Sequence, residues 1–298
     1  MRVTKMVQGE KGAVLITGTS TGVGRAAASL LEKQGYQVFA TVRQEKDAES
    51  LRQEYKSGSL TPILMDVTKA EEIKFAADIV SKSVGNRGLV GLVNNAGLLV
   101  DGPIEYVSID DLRWQFEVNV FGQIAVTQAF LPLIRKAKGR IVNIGSVGSQ
   151  ISLPFISALC ASKFALGAFT DALRMELEPW GIEVILVEPG SIASAAPDKV
   201  EESFQKNFAN MSPEAKAMYG DAYKFFVEGL ITSNRTGMPP EQVASAILEA
   251  LEASKPKTRY FLSKGQIFLV LNLMLKKLIP DRSFDARILK GWKLKNQN

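Results

Sequence analysis

A glycine-rich segment at residues 17–24 (TGTSTGVG) constrains the fold of this chain more than any other feature. It follows a short apolar run at residues 13–16 and precedes a helix-like pattern at residues 25–34. Glycines allow a sharp strand–helix turn and let the backbone approach a pyrophosphate, which a helix N-terminus stabilises. The segment predicts a dinucleotide-binding turn, with a simple tight turn as the alternative. The candidate phosphate-binding residues are Gly18, Thr19, Ser20, Thr21, Gly22, Val23 and Gly24.

Strand-like and helix-like patterns alternate along most of the chain. After the first strand, further strands are predicted at residues 38–42, 62–65, 89–93, 140–144 and 183–187. Helical stretches separate them, as parallel strands require. This alternation predicts an α/β fold, a doubly wound parallel sheet of about seven strands with helices on both faces. We expect a single domain over residues 1–298.

Residues 191–238 interrupt this alternation with irregular polarity and two pairs of phenylalanines. An insertion after the sixth strand lies at the carboxyl ends of the strands, where ligands bind in open α/β sheets. We therefore predict that this segment is a substrate lid. Apolar residues at 98–100, 153–155 and 159 predict a hydrophobic pocket for a lipid-like, steroid-like or polyketide-like substrate. The alternative is that these residues only pack the lid.

Composition excludes several classes of mechanism and site. The chain has no histidine, which excludes every mechanism that needs an imidazole group. We also predict that the chain has no metal site. A single cysteine, Cys160, excludes a disulfide framework and suits a reducing compartment. Residues 1–12 are polar and lack the apolar core of a signal peptide. We expect a cytoplasmic protein.

Positive charge is concentrated in a C-terminal extension at residues 264–298. This extension holds eight basic and two acidic residues, a net charge of +6 within a total of +5. The remaining chain is therefore close to −1, and the basic pI does not indicate nucleic-acid binding. Apolar residues at 267–275 make the extension amphipathic. It could lie peripherally on an anionic membrane surface, or pack on the domain or on a partner subunit.

The end of the second strand bears on the choice of cofactor. A carboxylate here would bind the adenosine ribose hydroxyls and repel a 2′-phosphate. Val42 stands at this place instead, and the adjacent Arg43 can neutralise and bind that phosphate. The sequence thus favours NADP(H) over NAD(H). The alternative is that Arg43 is only a solvated charge.

Five more motifs follow the glycine-rich turn in order: residues 66–67 (DV), 94–97 (NNAG), 119–122 (NVFG), 145–147 (GSV) and 189–194 (PGSIAS). Together the six resemble the fingerprint of the short-chain dehydrogenases/reductases, over about residues 10–262. The second strand's end and the C-terminal extension resemble the retinol and 17β-hydroxysteroid dehydrogenase branch. The resemblance implies a Rossmann-type fold and a homodimer or homotetramer. It implies cofactor contacts at Asp66, Val67, Asn94, Ala96, Gly97, Lys163, Pro189, Gly190, Ile192 and Ser194, and catalytic positions at Asn119, Ser146 and Lys163.

This chain departs from the family at the catalytic tyrosine. The family has a YxxxK pair, whereas residues 159–163 read LCASK, so Leu159 occupies the tyrosine position. Ser146 lies thirteen residues before Leu159, the spacing that the family has between serine and tyrosine. Positions 159 and 163 share a helix face. Leucine has no proton to donate, and loss of a general acid costs about 10²–10⁴ in rate.

Two explanations for Leu159 stay open: it is natural, or it was introduced to stop turnover. Lys163 would either take part in catalysis or only bind the ribose hydroxyls. We favour an NADP(H)-dependent oxidoreductase acting on an alcohol/carbonyl pair of an apolar substrate, with an altered or disabled site. The alternatives are a non-redox enzyme (a lyase, isomerase or cyclase) on the same scaffold and a catalytically silent dinucleotide-binding protein.

Overall fold

Seven parallel strands form one sheet in a computed structural model that describes residues 11–55, 58–193, 197–264, 275–276 and 278–291. The strand order is β3-β2-β1-β4-β5-β6-β7, with every adjacent pair parallel. The predicted doubly wound sheet is confirmed. The strands are β1 Ala13–Ile16, β2 Gln37–Val42, β3 Leu60–Leu64, β4 Gly91–Asn94, β5 Arg140–Ile144, β6 Glu183–Pro189 and β7 Arg259–Leu262.

Helices connect successive strands and continue beyond the last one. They are α1 Gly22–Lys33, α2 Glu45–Glu54, α3 Ala70–Val84, α4 Ile109–Phe116, α5 Gly122–Ala137, α6 Ser157–Leu177, α7 Pro197–Asn210, α8 Pro213–Arg235, α9 Pro240–Glu252 and α10 Asp281–Gly291. A π-helical turn, Glu117–Phe121, joins α4 to α5. A 3-10 turn, Val147–Ser149, follows β5.

Alternate residues of each strand point to opposite faces of the sheet. Val14 and Ile16 of β1 face a core that α1, α2 and α9 cover. Leu15 of the same strand faces a second core under α3 and α5. Both faces of the sheet are therefore buried, which explains the nearly continuous apolar runs of the strands.

The strand order reverses between β1 and β4, so a crevice opens there at the carboxyl ends of the strands. Residues 191–238 lie between β6 and β7 and are mostly helical rather than irregular. Their inner residues, including Phe204 and Phe226, form a third apolar cluster with Ile156 and Cys160 of α6. Polar residues such as Glu201, Lys224 and Glu228 are exposed, which is why the polarity of this segment resembles that of a loop.

Among the described residues, one continuous helical stretch, Ile109–Ala137, is long and apolar enough by length and composition to cross a membrane. Its most apolar window is 56% buried, because Val126, Phe130 and Ile134 pack in the second core. A core helix meets the same criterion. Most of the apolar run at residues 267–275 lies outside the described residues. Within the described part of the extension, Lys276 Nζ lies over the rings of Phe164 (5.7 Å) and Phe284 (5.8 Å).

Candidate active site

The glycine-rich turn between β1 and α1 has the backbone shape that only glycine permits readily. Gly18 (φ +69°) and Gly22 (φ +60°) adopt left-handed conformations. A Cβ atom built on Gly24 would lie 2.3 Å from the carbonyl oxygen of Gly18. The Thr21 side chain precedes α1 without capping it. The first N–H groups of α1 therefore have no capping side chain, and they are suited to an anion.

The turn is attached to the end of β4 by side chains that the sequence analysis did not single out. Thr17 Oγ1 accepts hydrogen bonds from the backbone N–H groups of Asn95 and Ala96, each 2.9 Å long. Asn95 Nδ2 donates to the carbonyl oxygens of Thr17 (2.8 Å) and Gly18 (3.0 Å). These bonds hold the two walls of the crevice together. Two features of the sequence could have indicated these contacts: Thr17 directly follows an apolar strand, and Asn95 directly follows another asparagine.

Asn94 has a different environment from its neighbours in the motif. Its side chain is 1% exposed, and Nδ2 donates to Thr127 Oγ1 (2.8 Å) and to Asn143 Oδ1 (2.9 Å). The structure therefore places Asn94 in a buried network that links β4, α5 and β5. Gly97 is exposed at the crevice, and Ala96 is half-buried.

Arg43 and Asp66 follow β2 and β3 on the side of the crevice next to the glycine-rich turn. Arg43 is exposed, and it forms no ion pair with any residue that the structure describes. Asp66 Oδ1 accepts hydrogen bonds from the backbone N–H (2.9 Å) and the hydroxyl (2.8 Å) of Thr68. Val67 is buried. The guanidinium is thus free to bind an anion, and the Asp66 carboxylate is fixed in orientation.

The segment after β6 is held from two sides. The Gly190 N–H donates to the carbonyl oxygen of Leu262 (2.7 Å), and Ile192 forms a parallel bridge with Met238. Pro189 ends β6 beside it. These three predicted cofactor-binding residues therefore lie together at the carboxyl end of β6. Ser194, predicted with them, lies outside the described residues.

Asn119 lies in the π-helical turn, an irregularity often found at functional sites. The side chain is fully buried, and it exchanges two hydrogen bonds with the Leu98 backbone: Oδ1 accepts at 2.9 Å and Nδ2 donates at 3.0 Å. Asn119 Nδ2 also lies 3.3 Å from Ser162 Oγ, which donates to the carbonyl oxygen of Leu159. Asn119 therefore connects the loop after β4 to α6.

Ser146 caps the 3-10 turn that follows β5. Its Oγ accepts from the Gly148 N–H (3.1 Å), and its own N–H donates to Ser149 Oγ (3.2 Å). A Cβ atom built on Gly148 would lie 3.5 Å from Cys160 Sγ, so the turn packs against the first turns of α6. The Ser146 hydroxyl therefore lies close to the helix that carries Leu159 and Lys163.

Lys163 extends from α6 towards the end of β5. The side chain is 7% exposed, and Nζ donates to the carbonyl oxygen of Ile144 at 2.6 Å. Burial lowers its pKa to about 8, because a low-dielectric environment disfavours the charged form. No carboxylate of the described residues is paired with this lysine.

Leu159 stands one helical turn before Lys163 and packs against the third apolar cluster, which includes Tyr223 and Phe226. The structure thus places Ser146 and Lys163 at the end of β5, Asn119 within hydrogen-bonding distance of α6, and Leu159 against the third apolar cluster. Cys160, the neighbour of Leu159, is buried, and burial raises the pKa of its thiol.

Residues 12–204 match the family model of the short chain dehydrogenases. The chain belongs to this family. The short chain dehydrogenases are oxidoreductases, so the reaction class of this family member is oxidation and reduction. The matched residues include the first six strands of the sheet.

Curated relatives of this family member are dehydrogenases and reductases. An NADPH-dependent 3-dehydrocapnine reductase from Ornithobacterium rhinotracheale is 34% identical, with 94% of this chain and 96% of the relative covered. Retinol dehydrogenase 16 from Mus musculus is 38% identical (83% and 79% covered), which supports the retinol dehydrogenase branch. The mitochondrial D-beta-hydroxybutyrate dehydrogenase from Bos taurus is 36% identical (83% and 76% covered).

A solved structure has the same architecture over nearly the whole chain. A short-chain dehydrogenase from Streptomyces avermitilis superposes with a TM-score of 0.73 at 28% identity, and 98% of this chain and 97% of that chain are covered.

Glu188 is a buried carboxylate that the sequence analysis did not identify. It is the penultimate residue of β6, fully buried, and its Oε1 accepts from Gln150 Nε2 (2.9 Å) and Arg259 Nη1 (3.1 Å). Burial raises the pKa of the carboxyl, although the paired guanidinium opposes this effect. The bonds connect the loop that carries Ser146 with β6 and β7. The sequence does contain an indication of this buried group, because Glu188 lies within an otherwise apolar run at residues 184–189.

Proposed function

We propose that this protein is an NADP(H)-dependent oxidoreductase acting on an alcohol/carbonyl pair of an apolar substrate, with its proton-donor position occupied by leucine. The observation that carries the proposal is the position of Leu159, one helical turn before the buried Lys163 and beside the turn of Ser146. The other predicted catalytic positions, Ser146, Lys163 and Asn119, carry the polar side chains that a carbonyl-reducing site needs.

The crevice fits a nicotinamide dinucleotide phosphate. Any side chain at Gly24 would fill the space of the turn, and the uncapped N-terminus of α1 suits the pyrophosphate. The unpaired Arg43 guanidinium suits a 2′-phosphate, and one relative is described as NADPH-dependent. When bound, the nicotinamide would supply or accept the hydride.

The chain's own residues then have distinct roles at the substrate oxygen. The Ser146 hydroxyl would donate a hydrogen bond to the oxygen as negative charge develops on it. Lys163 would bring a positive charge to the same region and would bind the ribose hydroxyls. Leu159 cannot deliver the proton that the oxygen needs. The site therefore binds and polarises a carbonyl but lacks its general acid, so we expect turnover far below that of a tyrosine-containing enzyme.

The apolar substrate is inferred from the side chains that pack around Leu159. Leu99, Leu153 and Phe155 pack with Leu159 against the third cluster. A polar substrate would leave its hydroxyls unpaired against these side chains, at a cost of about 1–3 kcal/mol for each buried group. A ketone or alcohol with a long or fused hydrocarbon body fits this wall better.

The Leu159→Tyr variant tests the proposal, with Leu159→Phe as its matched control. Phenylalanine adds the same ring without the hydroxyl, so it separates filling of the pocket from proton donation. We expect Leu159→Tyr to raise NADPH-dependent reduction of an apolar ketone panel about 10²-fold or more, while Leu159→Phe stays at the unmodified level. NADPH binding, followed by fluorescence, should be similar in all three proteins.

Two results would contradict the proposal. If Leu159→Tyr binds NADPH but reduces no ketone in the panel, the site is not a carbonyl-reducing one. Rapid turnover by the unmodified chain would mean that another group or water supplies the proton, and that Leu159 is not the decisive difference.

A further inference from the structure

Glu188 is a fully buried carboxylate of β6 that contacts both ends of the serine turn, residues 145–150, which carries Ser146. At the first end, a Cβ atom built on Gly145 would lie 3.3 Å from Glu188 Cγ, so Glu188 packs directly against this glycine. At the other end, Gln150 Nε2 donates a hydrogen bond to Glu188 Oε1 at 2.9 Å. The cofactor and proton-transfer roles proposed above do not use this carboxylate, so its contacts with the serine turn need an explanation.

A cation anchored on other elements holds the Glu188 carboxylate in place. Arg259 Nη1, on β7, donates to the same Oε1 atom at 3.1 Å. Arg259 Nη2 also pairs with Asp171 of α6, which in turn pairs with Arg174 at 2.7 Å. A buried carboxylate that loses its paired cation is costly, so this ion pair holds the carboxylate in one orientation. The Gln150 side chain is therefore bound to an acceptor whose position is fixed.

Hydrogen bonds within the serine turn connect Gln150 to the hydroxyl of Ser146. The Gln150 N–H donates to the carbonyl oxygen of Val147 (2.9 Å), and the Ser149 N–H donates to that of Ser146 (2.8 Å). Ser146 Oγ accepts from the Gly148 N–H at 3.1 Å, which leaves the hydroxyl hydrogen able to donate elsewhere. A displacement of Gln150 would therefore change the conformation of the turn and the direction of this hydroxyl.

We propose that Glu188 is a positioning residue, which fixes the direction of the Ser146 hydroxyl through its bond to Gln150. The proposal rests on the proposed function, in which Ser146 donates a hydrogen bond to the substrate oxygen. Glu188 acts only through Gln150, and it contacts no reacting atom in this role. A misplacement of about 1 Å at a reacting group can cost about 10²-fold in rate, so such an indirect contact can matter for turnover.

Steady-state kinetics in the Leu159→Tyr background separate positioning from a purely structural role. Gln150→Leu removes the donor and leaves the pair of Glu188 with Arg259 intact. We expect it to lower kcat about tenfold and to change KM and NADPH affinity by less than about twofold, because the serine hydrogen bond strengthens in the transition state. Glu188→Leu should lower kcat at least as much. Glu188→Gln, which keeps an acceptor oxygen, should stay within about threefold. Glu183→Leu is the matched control, since Glu183 is exposed at the start of β6.

Hydrogen exchange tests the same role without turnover, in the chain that keeps Leu159. The backbone amides of Gly148, Ser149 and Gln150 should exchange about tenfold faster or more in Gln150→Leu, with the amides of β6 unchanged. If Leu159→Tyr reduces no ketone, the proposed function fails, and hydrogen exchange alone decides whether Glu188 holds the turn. Unchanged exchange in the turn would overturn the proposal. So would a loss of thermal stability with kcat unchanged, because the carboxylate would then only support the fold.

Discussion

The Nζ atom of Lys163 lies 2.6 Å from the carbonyl oxygen of Ile144, the last residue of β5. Through this bond, a helix residue is joined to the strand end that leads directly to Ser146. The bond does not neutralise the ammonium, and burial still lowers the lysine pKa to about 8. A charge kept out of water in this way should be detectable in the pH dependence of stability.

The free energy of unfolding should rise by about 2 kcal/mol between pH 7 and pH 9.5 because of Lys163. In this range the folded protein loses the proton at about pH 8, whereas the unfolded chain keeps it to near pH 10.5, so the unfolded state binds more protons. The penalty is fully present below pH 8 and disappears as pH rises. Lys163→Met should abolish this rise in urea titrations, and the exposed Lys224→Met should retain it. An unchanged pH dependence in Lys163→Met would contradict the buried charge.

Arg43→Gln should weaken NADPH binding about tenfold and change NADH binding by less than about twofold. The reason is that only NADPH carries the 2′-phosphate that this unpaired guanidinium would bind. Fluorescence titration with both cofactors measures the effect. Arg52→Gln is a suitable control, since Arg52 is also exposed nearby but is engaged with Glu45 and Glu49. Equal weakening of both cofactors would mean that Arg43 does not read the phosphate.

Gly24→Ala should destabilise the protein by about 2 kcal/mol or more and reduce NADPH binding. The added methyl group would meet the Gly18 backbone, which has no flexible atoms to move aside. Gly220→Ala is the matched control on α8: its Cβ would lie 3.6 Å from Phe208, an ordinary contact, and alanine favours a helix by about 0.5–1 kcal/mol. Denaturant unfolding of both variants checks the contrast, and equal stabilities would refute it.

Arg259→Leu should cost about 3 kcal/mol of stability at pH 7, because it leaves the Glu188 carboxylate buried without its cation. The loss should shrink as the pH falls and the carboxyl becomes protonated. Adding Glu188→Gln should recover part of the loss. Arg113→Leu removes an exposed ion pair with Asp110 and should change stability by less than about 1 kcal/mol. If Arg113→Leu is as costly as Arg259→Leu, burial is not the cause.

Local sequence patterns were sufficient to predict the strands of the sheet and the glycine-rich turn. Apolar runs located six of the strands, and the motif at residues 17–24 located the turn, because both depend on neighbours in the chain. Helices α7 and α8 were not expected, since their buried side is a short apolar stripe in a polar segment. The π-helical turn at Asn119 gives no periodic signal that differs from an ordinary helix.

Long-range polar contacts were beyond the reach of the sequence. Asp101 meets Asn207 across 106 positions, and Glu188 meets Arg259 across 71. Nothing in the spacing of these residues specifies such pairs, because the fold alone brings them together. The absence of the tyrosine at position 159, by contrast, was visible at once, since it depends only on a local motif.

The bridge between Ile192 and Met238 brings the two ends of the segment between β6 and α9 side by side, at the spacing of neighbouring strands. The sheet on either side is completed by β6 and β7, whose pairing involves none of the lid's residues. A different segment grafted between these two points would leave the register of every strand unchanged, but it would also have to cover Ile156 and Cys160 of α6, which pack against the present helices.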